Sequence, residues 1–212
     1  PIDSGNSTIF TNQYIENIMI NYGRNGVETD YDGHGITNWL IDQFQDGILY
    51  YNYRGIYGGE GSGASNQFNN GYQTPFVCTI TCGTGDFDYG NSQSEAFVKM
   101  GTLNNPEGAV AAVGLSSVGT HTAYNNIVDM GIFDGIFPRK LWYAGAAEAN
   151  GDLAILATYP SNPSGATEAF IAWSNLIGDP ALHLWSDVPT NFAVDHIDVI
   201  LLGTTTIEVI VY

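Results

Sequence analysis

The sequence predicts an α/β fold: a mainly parallel sheet with helices on both faces, followed by the first strands of a separate β module. Three observations carry this expectation. The runs "ILYYNY", "PFVCTIT" and "AVAAVGL" are short and almost continuously apolar, as strands buried on both faces are. Segments of helical period separate and follow them. After "GDPALHLW" the texture changes to β-branched stretches without helical period.

Element by element, "TNQYIENIMINYG" predicts a helix with Phe10, Tyr14, Ile18 and Tyr22 on one stripe and Gly23 as its stop. "GVETDY" predicts a short strand. In "ITNWLIDQFQDG" the helical spacing turns Ile36, Leu40 and Phe44 inward, with Gly47 beyond the end. "ILYYNY" and "PFVCTIT" are strands, "SQSEAFVKMG" a helix and "AVAAVGL" a strand. "AYNNIVDMGIFDGIF", "LWYAGAAEANGDLAILATY" and "ATEAFIAWSNLIG" are read as helices. "FAVDHIDVI" and "TTTIEVIVY" supply two or three strands, too few for a complete sandwich. The boundary is expected near "SDVPTN", giving a domain over 1–186 and the start of a β module over 187–212.

With 212 residues, 44% of them apolar, the chain can bury a full core. Its 5 Lys+Arg against 22 Asp+Glu give a formal charge of −17. That argues against nucleic-acid and anionic-membrane partners, whose phosphates need basic surfaces. No run reaches the roughly 18 apolar residues of a spanning helix. The opening at Pro1 without a signal sequence predicts a mature or trimmed form. Cys78 and Cys82 would lie about 13 Å apart on one strand, too far for a disulfide.

In an open α/β sheet, ligands bind at the carboxyl ends of the strands. Three such ends are legible: "RGIYGGEGSGASN", "CGTGDFDYGNS" and "SSVGTHTAYNN". Cys82 lies at the second, followed by Gly83, Thr84 and Gly85, which let backbone N–H groups approach a substrate oxygen. That is the setting for a sulfur nucleophile with an oxyanion hole. The structural alternative is a small buried apolar residue, the role expected of Cys78 in mid-strand. Asp86, Asp88 and Glu95 could hold a cationic substrate side chain or stabilise the loop. The acidic turn "TDYDGHG" could bind Ca²⁺ through Asp30 and Asp32, or be a plain turn. His34 belongs to that turn; His183, in a strand, and His196, in the β tail, are read as structural.

"ILYYNYRG" leading into glycines, "PFVCTITCGTGDF" followed by "SEAF", "PEGAVAAVGLSS" and "WSNLIGDPALHLW" resemble the gingipain family of secreted cysteine peptidases over residues 8–186. The resemblance implies a caspase-like α/β/α sandwich, of which this chain carries the second, catalytic half, followed by the start of an immunoglobulin-like module. It implies a secreted or bacterial cell-surface protein whose partner is a polypeptide substrate or another extracellular protein, with no cofactor required. The family's nucleophile falls on Cys82. Its base belongs to a Gly-His-Gly motif whose first glycine matches Gly55, but Ile56 stands where the histidine belongs, and Tyr57 follows. Gly55, Gly83 and Gly85 then form the oxyanion and substrate loop. His121, in the loop after the next strand and on the same sheet edge, is the base that topology offers; its alternative role is a hydrogen bond at a helix start, with Thr120 as N-cap. Two functions follow: a cysteine-type peptidase with an atypical base, or a catalytically inactive homologue acting as an extracellular surface, adhesive or assembly protein.

Overall fold

The computed structural model describes residues 4–23, 26–31, 36–61, 67–88, 90–185 and 192–211. In chain order the elements are α1 (Ser4–Asn21), α2 (Ile36–Asp46), β1 (Tyr50–Tyr53), β2 (Phe76–Thr79), α3 (Gln93–Val98), β3 (Gly101–Thr102) and β4 (Asn105–Pro106). They continue with β5 (Ala111–Leu115), α4 (Thr122–Ile136), α5 (Ala144–Thr158), α6 (Ala166–Trp173), β6 (Ser174–Ile177), β7 (Val194–His196) and β8 (Val209–Val211).

The central sheet has the order β1-β2-β5-β6. β1, β2 and β5 are parallel, with Asn52 opposite Cys78 and Cys78 opposite Val113. The expected adjacency of these strands, with their carboxyl ends together, is what the fold shows. Side chains alternate between the two faces, as the pleat requires. Phe76, Cys78, Ile80, Ala111, Val113 and Leu115 enter the core beneath α1, α4, α5 and α6. Val77 and Ala112 face the smaller core with Leu40, Phe44, Phe68 and Phe97. There Phe44 stacks on Phe68 at 4.2 Å between centroids, and both rings stack near Phe97.

Several elements differ from the sequence reading. "ATEAFIAWSNLIG" is not one helix: Ser174 donates the last helical bond to Phe170, turns extended, and Ser174–Ile177 pairs antiparallel with the free edge of β5. "GVETDY" forms no strand. The buried face of α1 is Thr11, Ile15 and Ile18, whereas Phe10, Tyr14 and Tyr22 point outward, so the aromatic stripe misled. Leu40 and Phe44 are buried as expected, but Ile36 is only half-buried. His183 makes a single bridge with Tyr143, its ring edge-on to Trp142 and Tyr143, rather than sitting in a ladder. The tail forms the small antiparallel pair β7–β8, exposed throughout. Asp32 and His34 of the acidic turn, and the 186–191 boundary, lie outside the described residues.

Helices α4 and α5 pack with their backbones close. A Cβ on Gly131 would meet Ala154 Cβ at 2.8 Å and Gly151 Cα at 2.9 Å, so glycine is required there. Farther along α5, Glu148 and Asp152 stand one helical turn apart and face Ser174. Burial and the neighbouring Glu148 carboxyl push Asp152 up to about 8, and burial raises Glu148 as well. A carboxyl raised in the folded state is bound by protons more tightly there than in the unfolded chain. Its contribution to stability therefore falls as pH rises from the unfolded value of about 4 towards 8.

Two outcomes follow for stability. Phe44→Ala, at a ring with no exposed surface, lowers unfolding free energy by about 3–5 kcal/mol in urea titrations. Asp152→Asn raises Tm over the parent chain by a margin that widens from about pH 5 to about pH 8 and is constant above it; a margin that shrinks over that range contradicts the raised carboxyl.

Candidate active site

β2 stops at Thr79, and residues 80–85 turn back against the end of β5. Ile80 still donates to Tyr53 O, while Thr84 Oγ1 donates to Thr79 O at 2.5 Å, closing the turn. Gly85 allows the close approach: a Cβ there would lie 2.6 Å from the carbonyl carbon of Gly114. Cys82 thereby reaches the carboxyl edge of the parallel strands, partly exposed, whereas Cys78 is fully buried in mid-strand. Both are free thiols. Burial pushes the Cys78 thiol well above its ordinary range, and the nearby Asp129 and Glu148 add to the effect.

The hydrogen-bond partner of Cys82 is Thr120, with Sγ and Oγ1 2.9 Å apart. Thr120 Oγ1 in turn accepts from Asn125 Nδ2 at 2.9 Å. His121 follows Thr120 in extended backbone (φ −118°, ψ 133°), where successive side chains point to opposite sides. Its Nδ1 accepts from the N–H of Ala123 at 3.2 Å, so His121, not Thr120, is the N-cap of α4. The structure thus brings Thr120 to the thiol and employs the imidazole of His121 at the helix start.

At the neighbouring strand end, Ile56 is 84% exposed. Gly55 admits the Tyr53 ring, which folds back so that its hydroxyl donates to Ile56 O at 2.8 Å. The N–H of Gly83 donates to Ser117 O (2.9 Å) and that of Gly85 to Leu115 O (3.0 Å). Both proposed oxyanion donors are therefore engaged in holding the turn. Val118 and Tyr57 flank Gly83, giving the mouth of the site apolar walls.

The three carboxylates have separate fates. Glu95 closes the capping box of α3 with Ser92 and pairs with Lys99 at 2.7 Å, and the ammonium and the Ser92 N–H hold it down at about 2. It stabilises the loop. Asp86 Oδ1 accepts from the N–H of Asp88, and both side chains remain at the loop surface. Among the described residues no group of three or more His, Cys, Asp or Glu side chains is placed to hold a metal.

Arg54 directly follows β1, just before Gly55 and Ile56. It turns inward: Nε donates to Asn126 Oδ1 (2.7 Å) and an Nη to Thr122 O (3.2 Å), at the start of α4. Asn52 donates to Asp129 Oδ2 (3.2 Å) and to Asn12 Oδ1 (3.1 Å), and Asn12 donates to Arg54 O (2.9 Å). Burial pushes Asp129 up to about 7, against the pull of Arg54 and Asn52. The available signal was Asn125, Asn126 and Asp129 on a largely apolar helix.

The model of peptidase family C25 matches residues 4–185. The chain belongs to this family. Gingipain R2 of Porphyromonas gingivalis is 31% identical over 120 residues, covering 52% of this chain and 16% of that protein. Gingipain R1 of the same organism is 30% identical over 120 residues, covering 52% and 12%. Among solved structures, the Arg-specific cysteine proteinase gingipain R aligns with a TM-score of 0.72 at 23% identity, over 96% of this chain and 49% of that one. The fold is therefore that of gingipain R, and this member of family C25 spans about half of the solved chain.

Alkylation by iodoacetamide should separate the two thiols. The native C25 chain takes one label, at Cys82, and the buried Cys78 reacts only in denaturant; native labelling of Cys78, read by peptide mapping, contradicts the described burial.

Proposed function

We propose that this chain is a gingipain-type cysteine peptidase domain, acting on polypeptides at the cell surface or in the medium, with Cys82 as its nucleophile. The observation that carries the reading is the place of the thiol. It is partly exposed at the carboxyl end of a central parallel strand, hydrogen-bonded to Thr120, within the stretch matched to peptidase family C25. Residues 1–186 form the peptidase half, and 187–212 open an immunoglobulin-like module.

In this reading the sulfur attacks the scissile carbonyl carbon, the amine leaves with a proton, and water then releases the acyl group. His121 is the base assigned to the first proton and the donor to the amine. To serve, its imidazole leaves a single 3.2 Å capping bond at the α4 start. Asp86 and Asp88 are the carboxylates left to meet a cationic side chain. No cofactor enters this chemistry, and Ca²⁺ at the Asp30/Asp32 turn would be structural.

A second reading, the inactive homologue serving as a surface, adhesive or assembly protein, is favoured by one set of facts. Ile56 stands at the base position, His121 caps a helix, and the Gly83 and Gly85 N–H groups are engaged. Turnover of a fluorogenic peptide library decides between them. A peptidase loses all activity in Cys82→Ala and roughly 100-fold in His121→Ala. Full activity in His121→Ala removes the assigned base. No turnover by a parent chain whose Cys82 still alkylates selects the inactive homologue.

A further inference from the structure

Arg54 has no part in the proton transfers just described, yet its position is unfavourable for a structural cation. It is 5% exposed, and its guanidinium sits at the N-terminal turn of α4. Burial strips its water, and the positive end of the helix dipole repels it. Burial also weakens its hold on its proton, and the neighbouring Asp129, Cys82 and Tyr53 oppose this. Among the described residues Arg54 closes no ion pair. Asp129, pushed up to about 7, is an incomplete counter-charge. The guanidinium and the Cys82 sulfur meet the same entry to α4, one at Thr122 O and the other at Thr120 Oγ1.

The same turn of α4 meets that sulfur. Thr120 Oγ1 lies 2.9 Å from Sγ, and Asn125 Nδ2 donates to the same oxygen at 2.9 Å. A hydroxyl has one proton and two lone pairs. With the Asn125 amide on one lone pair, the O–H is free to donate to sulfur. Asn125 is 3% exposed at the start of α4, and the hydrogen bond its side chain makes among the described residues is the one from Nδ2 to Thr120.

We propose that Thr120, oriented by Asn125 and backed by the Arg54 guanidinium, holds the negative charge that the Cys82 sulfur carries once its proton has left and until it bonds an electrophile. Thr120 is then a catalytic residue, since it touches the reacting atom, and Asn125 is a positioning residue acting through it. The work that one imidazole performs in a Cys–His pair is divided here. Thr120, Asn125 and Arg54 stabilise charge, while proton movement falls to a separate group. This rests on Cys82 being the nucleophile, but not on peptide turnover.

The test is the rate of carbamidomethylation of Cys82 in the intact chain by iodoacetamide at about pH 7, in which the thiol proton passes to the buffer, the S–C bond forms and iodide leaves. Thr120→Val removes the donor while keeping shape, and should slow the reaction roughly tenfold. Thr120→Ser restores the donor and should react within about twofold of the parent chain. Asn125→Ala falls between the two. Circular dichroism checks the fold of each variant, and Thr120→Ala replaces the valine variant if that one is unfolded. A valine or alanine variant that reacts at the parent rate overturns the proposal, and so does a serine variant as slow as valine, which would mean packing alone. A chain that turns over no peptide but shows the serine rescue keeps this inference and loses only the peptidase reading.

Discussion

The site depends on β2 being hydrogen-bonded on both edges and buried on both faces. Phe76–Thr79 pairs in parallel with β1 and β5 along its whole length, and none of its side chains reaches solvent. A slip of one residue would send Phe76 and Cys78 to the opposite core and Val77 to theirs, so the register has no near alternative. That fixed register sets where the strand ends. The turn then closes through Thr84 and Gly85 against the last residues of β5, and the position of Cys82 follows from it. The chemistry of the edge thus rests on a strand whose own cysteine is inert.

A second constraint comes from the buried and half-buried polar groups between α1, β1 and α4. Asn12, Asn52, Arg54, Asn126 and Asp129 lie where an apolar core would be simpler. Each would destabilise the fold if left unpaired, so their bonds fix how α4 begins relative to the sheet. Thr120, His121 and Asn125 belong to that beginning. The same network that makes this part of the core costly therefore holds the groups around the thiol in register with it. Gly131 and Gly151 secure the other end, where α4 and α5 approach too closely for side chains.

Glu148 and Asp152 are a further departure from a simple core, raised by burial beside the edge strand β6. They lie on the α5 face that meets β6 at Ser174. Their protonation therefore bears on the antiparallel strand that closes the sheet.

The sequence by itself determined the strands β1, β2 and β5, their parallel order and the place of Cys82, because continuous apolar runs ending in glycine have few other solutions. It also showed Ile56 at the expected base position. It did not reveal β6, since "SNLI" continues a helical period and becomes a strand only because β5 offers an open edge. Nor did it give the buried side of α1, where the aromatic stripe lost to Thr11, Ile15 and Ile18 once α4 had fixed the contact face. At the site, His121 and the glycine N–H groups were read from their type and place. What each one bonds to is a matter of angles: His121 faces Ala123, Gly83 and Gly85 face carbonyls of the β5 end, and Thr120 faces the sulfur. A hydrogen bond is decided over tenths of an ångström and a few tens of degrees, which residue order does not encode and only the packed tertiary structure sets.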